Sequence, residues 1–268
     1  MNLRFWGVRG SVPWAIPAAI GHGCNTACLE LRDAASGQTL IFDAGSGIVG
    51  LGERLSGPPR DLAIVLTHYH WDHIQGLPFL EQLYEPGWRP RIYAPVFEAR
   101  DTEWVNTIFK SPFFPVPYER LPNPPEVLLL GSGPAAIDGF ELSWVPLNHP
   151  GGALAYRVRG TRGDLVYATD HEFGDPAFDE SLAAFARGAS AIILDAHYTP
   201  AEIGSYHGWG HSDWRRSAEF AAANDIARLW LFHHKPGRTD EALVQIRADA
   251  QKIFPATETA CEGESIDF

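Results

Sequence analysis

Cysteine is scarce in this 268-residue chain. Its three thiols, Cys24, Cys28 and Cys261, are an odd number without C-x-x-C spacing. That pattern argues against a disulfide framework and a structural zinc knuckle, and leaves reduced thiols as the expectation. Long apolar runs are missing as well. Nowhere do eighteen apolar residues follow one another, and residues 1–7 lack the stretch of a signal peptide. A soluble cytoplasmic protein with no membrane partner is expected. Positive charge is the third deficit: 21 Lys and Arg stand against 33 Asp and Glu, a formal net charge of −12. A surface that negative repels a phosphate backbone, and the short stretches 159–162 and Arg215-Arg216 do not make a basic track. A long nucleic acid is therefore not an expected partner. At 45% hydrophobic residues the chain can still bury a full core, and it reads as one domain spanning residues 1–268.

What is abundant is histidine in one place. Thr67-His68-Tyr69-His70-Trp71-Asp72-His73 follows the apolar stretch 62–66. His68 and His70, at i and i+2, point to the same side of extended or loop backbone, and Asp72 and His73 can turn toward a second position. Imidazole combined with carboxylate suits Zn, Mn or Fe better than Mg or Ca.

Short apolar strand patterns alternate with helical ones along the chain. Strands are predicted at 3–7, 27–32, 39–43, 62–67, 91–94, 140–146, 153–158, 165–168, 191–195 and 228–232. Helices are predicted at 48–55, 77–84, 96–109, 176–187, 212–224 and 239–254, with an N-cap at Thr239-Asp240 and Pro176 in a first turn. So many strands do not fit one open sheet, so an α/β arrangement of two sheets packed face to face with helices outside is the economical solution. Residues 111–125 hold six prolines among aromatic and apolar groups, which predicts a stiff loop laid over a cleft.

Ionisable residues recur where the apolar stretches end: Asp43, His149, Asp170, Asp195 with His197, and His233-His234. A single strand-end Asp is usually a turn former. Taken jointly, these residues converge on one shared rim.

With these residues the chain resembles the metallo-β-lactamase fold superfamily, through H-x-H-x-D-H at His68, His70, Asp72 and His73 and the separate His149, Asp170 and His233. The opening residues 3–13, Asn25-Thr26 and residues 42–47 are similar to its phosphodiesterase branch, which contains ribonuclease Z and the cyclic phosphodiesterases of phosphonate breakdown. The resemblance implies a four-layer αβ/βα sandwich of two mixed β-sheets and a binuclear site of two divalent metal ions, Zn first and Mn or Fe as alternatives. It assigns His68, His70 and His149 to one metal, Asp72, His73 and His233 to the other, and Asp170 as the bridge. His234 is the alternative to His233. Asp43 would anchor the ligand loop from behind.

Gly210-His211-Ser212 resembles the Gly-His-Ser of ribonuclease Z, and residues 194–198 resemble the strand carrying the acidic partner of that His. Here Asp195 stands where ribonuclease Z has Glu. His211 and Asp195 would form a dyad, with Asp72 as the further catalytic carboxylate, and a helix starting at Ser212 would offer free N–H groups to an anionic oxygen. The implied reaction is hydrolysis of a small or cyclic phosphodiester. Hydroxide generated on the metals attacks phosphorus, and His211 gives a proton to the departing alkoxide. No inserted arm of the kind ribonuclease Z uses to grip tRNA is apparent. Two competing readings remain: a metal-dependent acyl hydrolase for a thioester or lactone, and a silent metal-binding sensor or redox module. His22, His171, His197 and His207 are read as loop or packing residues, and the aromatic content is compatible with a homodimer.

Overall fold

The central strands of this chain are almost continuously apolar because both of their faces are covered. In β3 (Thr39–Phe42), β4 (Asp61–Val65), β11 (Ala191–Asp195) and β12 (Leu229–Phe232) nearly every residue is buried. Alternation then sorts their side chains. Phe42, Val65, Ile193 and Phe232 enter the layer between the two sheets, while Ile41, Ile64, Ile192 and Leu231 face the helices outside. The computed structural model describes residues 1–55, 58–97 and 104–268.

Two mixed sheets of seven strands each result. The first runs β14 (Ser265–Asp267), β1 (Asn2–Gly7), β2 (Cys28–Arg32), β3, β4, β5 (Arg89–Ala94) and β6 (Glu126–Leu129). The second runs β13 (Thr257–Thr259), β12, β11, β10 (Leu165–Ala168), β9 (Ala153–Val158), β8 (Phe140–Leu147) and β7 (Ala135–Ile137). From β3 to β6, and from β10 to β13, the pairing is parallel; the remaining pairs are antiparallel. Between the sheets Phe5, Phe42, Tyr156, Tyr167 and Phe232 form a chain of aromatic contacts with centroids 5.6–6.0 Å apart. Outside, α1 (Gly47–Arg54) covers the first sheet. On the second, α4 (Pro176–Ala186) packs against β8 and β9, α5 (Trp214–Ala223) against β11 and β12, and α6 (Asp240–Ala250) against β13. No helix among the described residues is long and apolar enough to cross a membrane.

Several elements differ from the sequence expectation. The helix predicted at 77–84 is two 3-10 turns, Leu77–Phe79 and Glu81–Leu83, because Leu80 between them is extended. Of the helix predicted at 96–109, α3 (Trp104–Ile108) is present, and residues 98–103 lie outside the described residues. The ligand loop carries one short turn, α2 (Trp71–Ile74). The edge strands β6, β7, β13 and β14 were not predicted; each is only three or four residues long. The proline-rich segment sends Phe114, Val116 and Tyr118 against the outer face of the first sheet, so its rigidity serves packing there.

Candidate metal centre and catalytic dyad

Asp43, the 67–73 segment, His149, Asp170, Asp195 and His233 all lie at or just after carboxyl ends of strands, respectively β3, β4, β8, β10, β11 and β12. Their side chains meet. Asp170 Oδ1 lies 3.8 Å from both His68 Nε2 and His149 Nε2, and Asp170 Oδ2 lies 3.3 Å from His73 Nε2 and 3.4 Å from His233 Nε2. On one side His149 Nε2 approaches His70 Nδ1 to 2.9 Å, and His68, His70 and His149 converge. On the other, Asp72 Oδ2 lies 3.0 Å from His233 Nε2 and 3.6 Å from His73 Nε2.

Hydrogen bonds outside the cluster set the imidazole tautomers. His149 Nδ1 donates to the Gly210 carbonyl at 2.8 Å, and His73 Nδ1 donates to Asp43 Oδ2 at 2.9 Å. Thr67 gives its hydroxyl proton to Asp43, so its oxygen accepts from His68 Nδ1 at 3.0 Å. In each case Nε2 is the ring nitrogen that faces the interior of the cluster. His68 Nε2 is buried with no hydrogen-bond partner. Burial pushes the pKa of His68 well below the usual imidazole value and that of His149 to about 4, favouring the neutral form a cation requires. Burial opposes ionisation of Asp170, but His233, His73 and His68 outweigh it and lower its pKa. Burial works against a charged His73 as well, but Asp170, Asp43 and Asp72 outweigh it and raise its pKa, so a cation would have to displace that proton. With His68 and His149 neutral, two carboxylates and an unsatisfied ring nitrogen, the set fits divalent cations.

Asp43, Asp170 and His233 adopt left-handed backbone, with φ of 59°, 58° and 61°. Non-glycine residues there cost on the order of 1–3 kcal/mol each, and such strain gathers where the surrounding fold holds a functional group in place. His233 is the member of the His233-His234 pair that enters the cluster. His234 Nε2 instead donates to the Ala260 carbonyl at 2.9 Å.

Beside this cluster His211 Nδ1 donates to Asp195 Oδ2 at 2.8 Å and lies 3.6 Å from Asp170 Oδ1. Burial works against a charged His211, yet Asp195, Asp170 and Asp72 prevail and raise its pKa to about 9. Asp195 Oδ1 accepts from the backbone N–H groups of His197 and Ser212, both at 3.0 Å, which fixes the carboxylate. The expected helix start at Ser212 is absent. Helix α5 begins at Trp214, with Asp213 as N-cap accepting from Arg215 and Arg216. That carboxylate occupies the N-terminal donors, and the Ser212 hydroxyl donates to the His171 carbonyl.

The outlying histidines divide. His197 is more involved than its sequence position indicated: its ring stacks on His211 at 4.5 Å, and its Nδ1 donates to the His233 carbonyl at 2.9 Å. His171 pairs with Asp179, His22 with Asp240, and exposed His207 with Glu172. Three contributors were given no role from the sequence. The Ser11 N–H donates to Asp72 Oδ2 at 2.6 Å, the Tyr167 hydroxyl to Asp43 Oδ2 at 2.7 Å, and Thr67 joins Asp43 to His68.

Comparison with known proteins agrees with this fold. Residues 38–234 match the beta-lactamase superfamily domain. Ribonuclease Z of Geobacillus kaustophilus (strain HTA426) is 34% identical over an alignment covering 100% of this chain and 99% of that protein. Among solved structures, a diphosphatase from the PhnP family superposes with a TM-score of 0.71 at 21% identity, covering 100% and 96% of the two chains. Zn(2+)-bound PqqB from Methylobacterium extorquens superposes with a TM-score of 0.75 at 14% identity, covering both chains entirely. The chain belongs to the metallo-β-lactamase superfamily, in its phosphodiesterase branch, and is a metal-dependent hydrolase.

Proposed function

We propose that this hydrolase is a binuclear phosphodiesterase whose substrate is a small or cyclic phosphodiester, with His211 as the proton donor to the leaving group. His68, His70 and His149 would hold one cation, Asp72, His73 and His233 the other, and Asp170 would lie between them. Zn is the first candidate, with Mn or Fe as alternatives. Bound divalent cations supply Lewis acidity toward a phosphoryl oxygen and a water of lowered pKa.

The observation that carries the reading is the His211–Asp195 pair at 2.8 Å, with His211 only 3.6 Å from Asp170. Hydrolysis of a phosphodiester expels an alkoxide, which needs a proton. Asp195 holds the Nδ1 proton of His211, so the donor atom toward substrate is Nε2. Hydrolysis of a thioester has less use for such a donor, since a thiolate leaves without one. The Asp195 carboxylate at 2.8 Å favours the protonated imidazole that a general acid requires.

Charge and length support a small substrate. The net charge of −12 disfavours a polyanion the length of tRNA. The alignment with the Geobacillus ribonuclease Z spans 322 residues against the 268 of this chain, so that relative carries segments with no counterpart here.

The test is turnover of bis(p-nitrophenyl) phosphate and of cyclic nucleotides by protein of known Zn or Mn content. Activity should appear with metal and fall by about 10²–10⁴ in kcat for His211→Ala. Thioester or lactone turnover by loaded protein that leaves every diester intact would replace this reading with the acyl-hydrolase one. No turnover of either class at full metal occupancy would favour a sensor.

A further inference from the structure

Glu172 has no place in the metal cluster or the dyad, yet it is buried and its bonds reach the segments carrying both. Its backbone is clipped to Asn148, the residue before His149: Glu172 N donates to Asn148 O at 3.0 Å, and Asn148 Nδ2 donates to Glu172 O at 2.8 Å. Its carboxylate reaches the loop before His211, accepting from Gly208 N at Oε1 and from Gly210 N at Oε2, both at 2.8 Å. Exposed His207 Nδ1 approaches Oε1 to 2.6 Å. Gly210 in turn accepts from His149 Nδ1 through its carbonyl.

The loop conformation needs this anchor. Gly208 and Gly210 both sit at φ +82°, and a Cβ on Gly210 would lie 2.2 Å from His149 Nδ1, so the peptide is pressed directly on the imidazole. Backbone so close to a ring, in the left-handed region, holds its position only if its N–H groups have fixed acceptors. Two carboxylate oxygens bonding two amides supply them with charge-assisted bonds.

We propose that Glu172 is a positioning residue that locks the 208–210 peptide, so that the Gly210 carbonyl orients His149 and the adjoining His211 is held at Asp195. This inference rests on the phosphodiesterase reading above. It differs from a packing role because its effects should be confined to one loop, one imidazole and the turnover step.

The test is Glu172→Gln, which keeps size but sets an NH2 group against a donor N–H. By hydrogen–deuterium exchange, peptides covering residues 206–211 should exchange faster than in wild type, while those covering 191–195 stay protected. Competition with a chelator should show metal affinity reduced by about 10–100-fold, and kcat should fall in the same range with KM little changed. Unchanged exchange at 206–211 overturns the clip, and faster exchange with wild-type metal affinity and kcat overturns the positioning role. Wild-type protein that binds metal but cleaves no diester would defeat the phosphodiesterase reading alone, since exchange and metal affinity judge Glu172 without turnover.

Discussion

Tyr167 and Asp43 join the two sheets at the rim of the site. The phenol, on β10 of the second sheet, donates at 2.7 Å to Asp43 Oδ2, at the end of β3 of the first. The same carboxylate accepts from Thr67 N at 2.8 Å and from His73 Nδ1 at 2.9 Å. One fully buried aspartate thereby fixes the start of the ligand loop, one histidine and the spacing between sheets.

Replacing it should be costly. Asp43→Ala leaves buried donors on Thr67, His73 and Tyr167 without their acceptor, and a loss of about 3–5 kcal/mol is expected. Urea denaturation of chelator-treated protein measures it without the contribution of metal. A loss under 1 kcal/mol would mean that the sheets are held at this edge by packing alone.

Asp195→Asn should act through His211. The variant keeps one oxygen for the Ser212 and His197 amides but presents an NH2 group to the His211 Nδ1 proton, favouring the wrong tautomer. A fall in kcat of at least about tenfold toward a diester is expected. Because the two residues act as a unit, the double variant with His211→Ala should be no slower than His211→Ala alone. Additive losses in steady-state kinetics would dissolve the dyad.

Removing metal should cost stability as well as activity. Two buried carboxylates, Asp72 and Asp170, lie among the same imidazoles. A bound cation stabilises the native state by roughly 2.7 kcal/mol at a hundredfold excess over its Kd. Dialysis against a chelator should lower Tm and abolish turnover, and Zn or Mn should restore both. An unmoved Tm would place any bound metal elsewhere.

Away from the site, Glu202 gives a pH signature. It accepts from Arg238 Nη2 at 2.6 Å, Lys235 Nζ at 3.1 Å and Thr199 N at 2.8 Å. Partial burial opposes its ionisation, but these donors win and lower its pKa to about 2. A carboxyl with a depressed folded-state pKa contributes stability that is full above its unfolded value and lost as pH falls toward the folded one. The destabilisation caused by Glu202→Gln, read from urea midpoints, should be largest at pH 7 and shrink from about pH 4.5 downward. A difference between variant and wild type that is constant from pH 7 to 3 would assign the effect to shape.

Much of the site could be read along the chain because ionisable residues stand just after apolar strands, and strand ends in a layered fold collect on one rim. The H-x-H-x-D-H segment, His149, Asp170 and Asp195 were legible in that way, while His211 was reached only through the resemblance of Gly210-His211-Ser212. Their order along the chain could not say which of His233 and His234 turns inward. That depends on the left-handed φ of His233, which tertiary packing imposes on a residue that would otherwise avoid it. Helix α5 shows the same limit. Ser212 and Asp213 are both competent caps, and Ser212 is drawn away by the carbonyl of His171, a residue 41 positions distant.

The sequence by itself determined the strands inside the sheet edges, the two-sheet architecture and the inventory of ligand-type side chains, because these follow from local apolar patterning and residue chemistry. Only the tertiary structure decided the tautomers, the neighbours of Asp43 and the role of Glu172. Each of those depends on a hydrogen bond between groups far apart in the chain, whose distance no local pattern encodes.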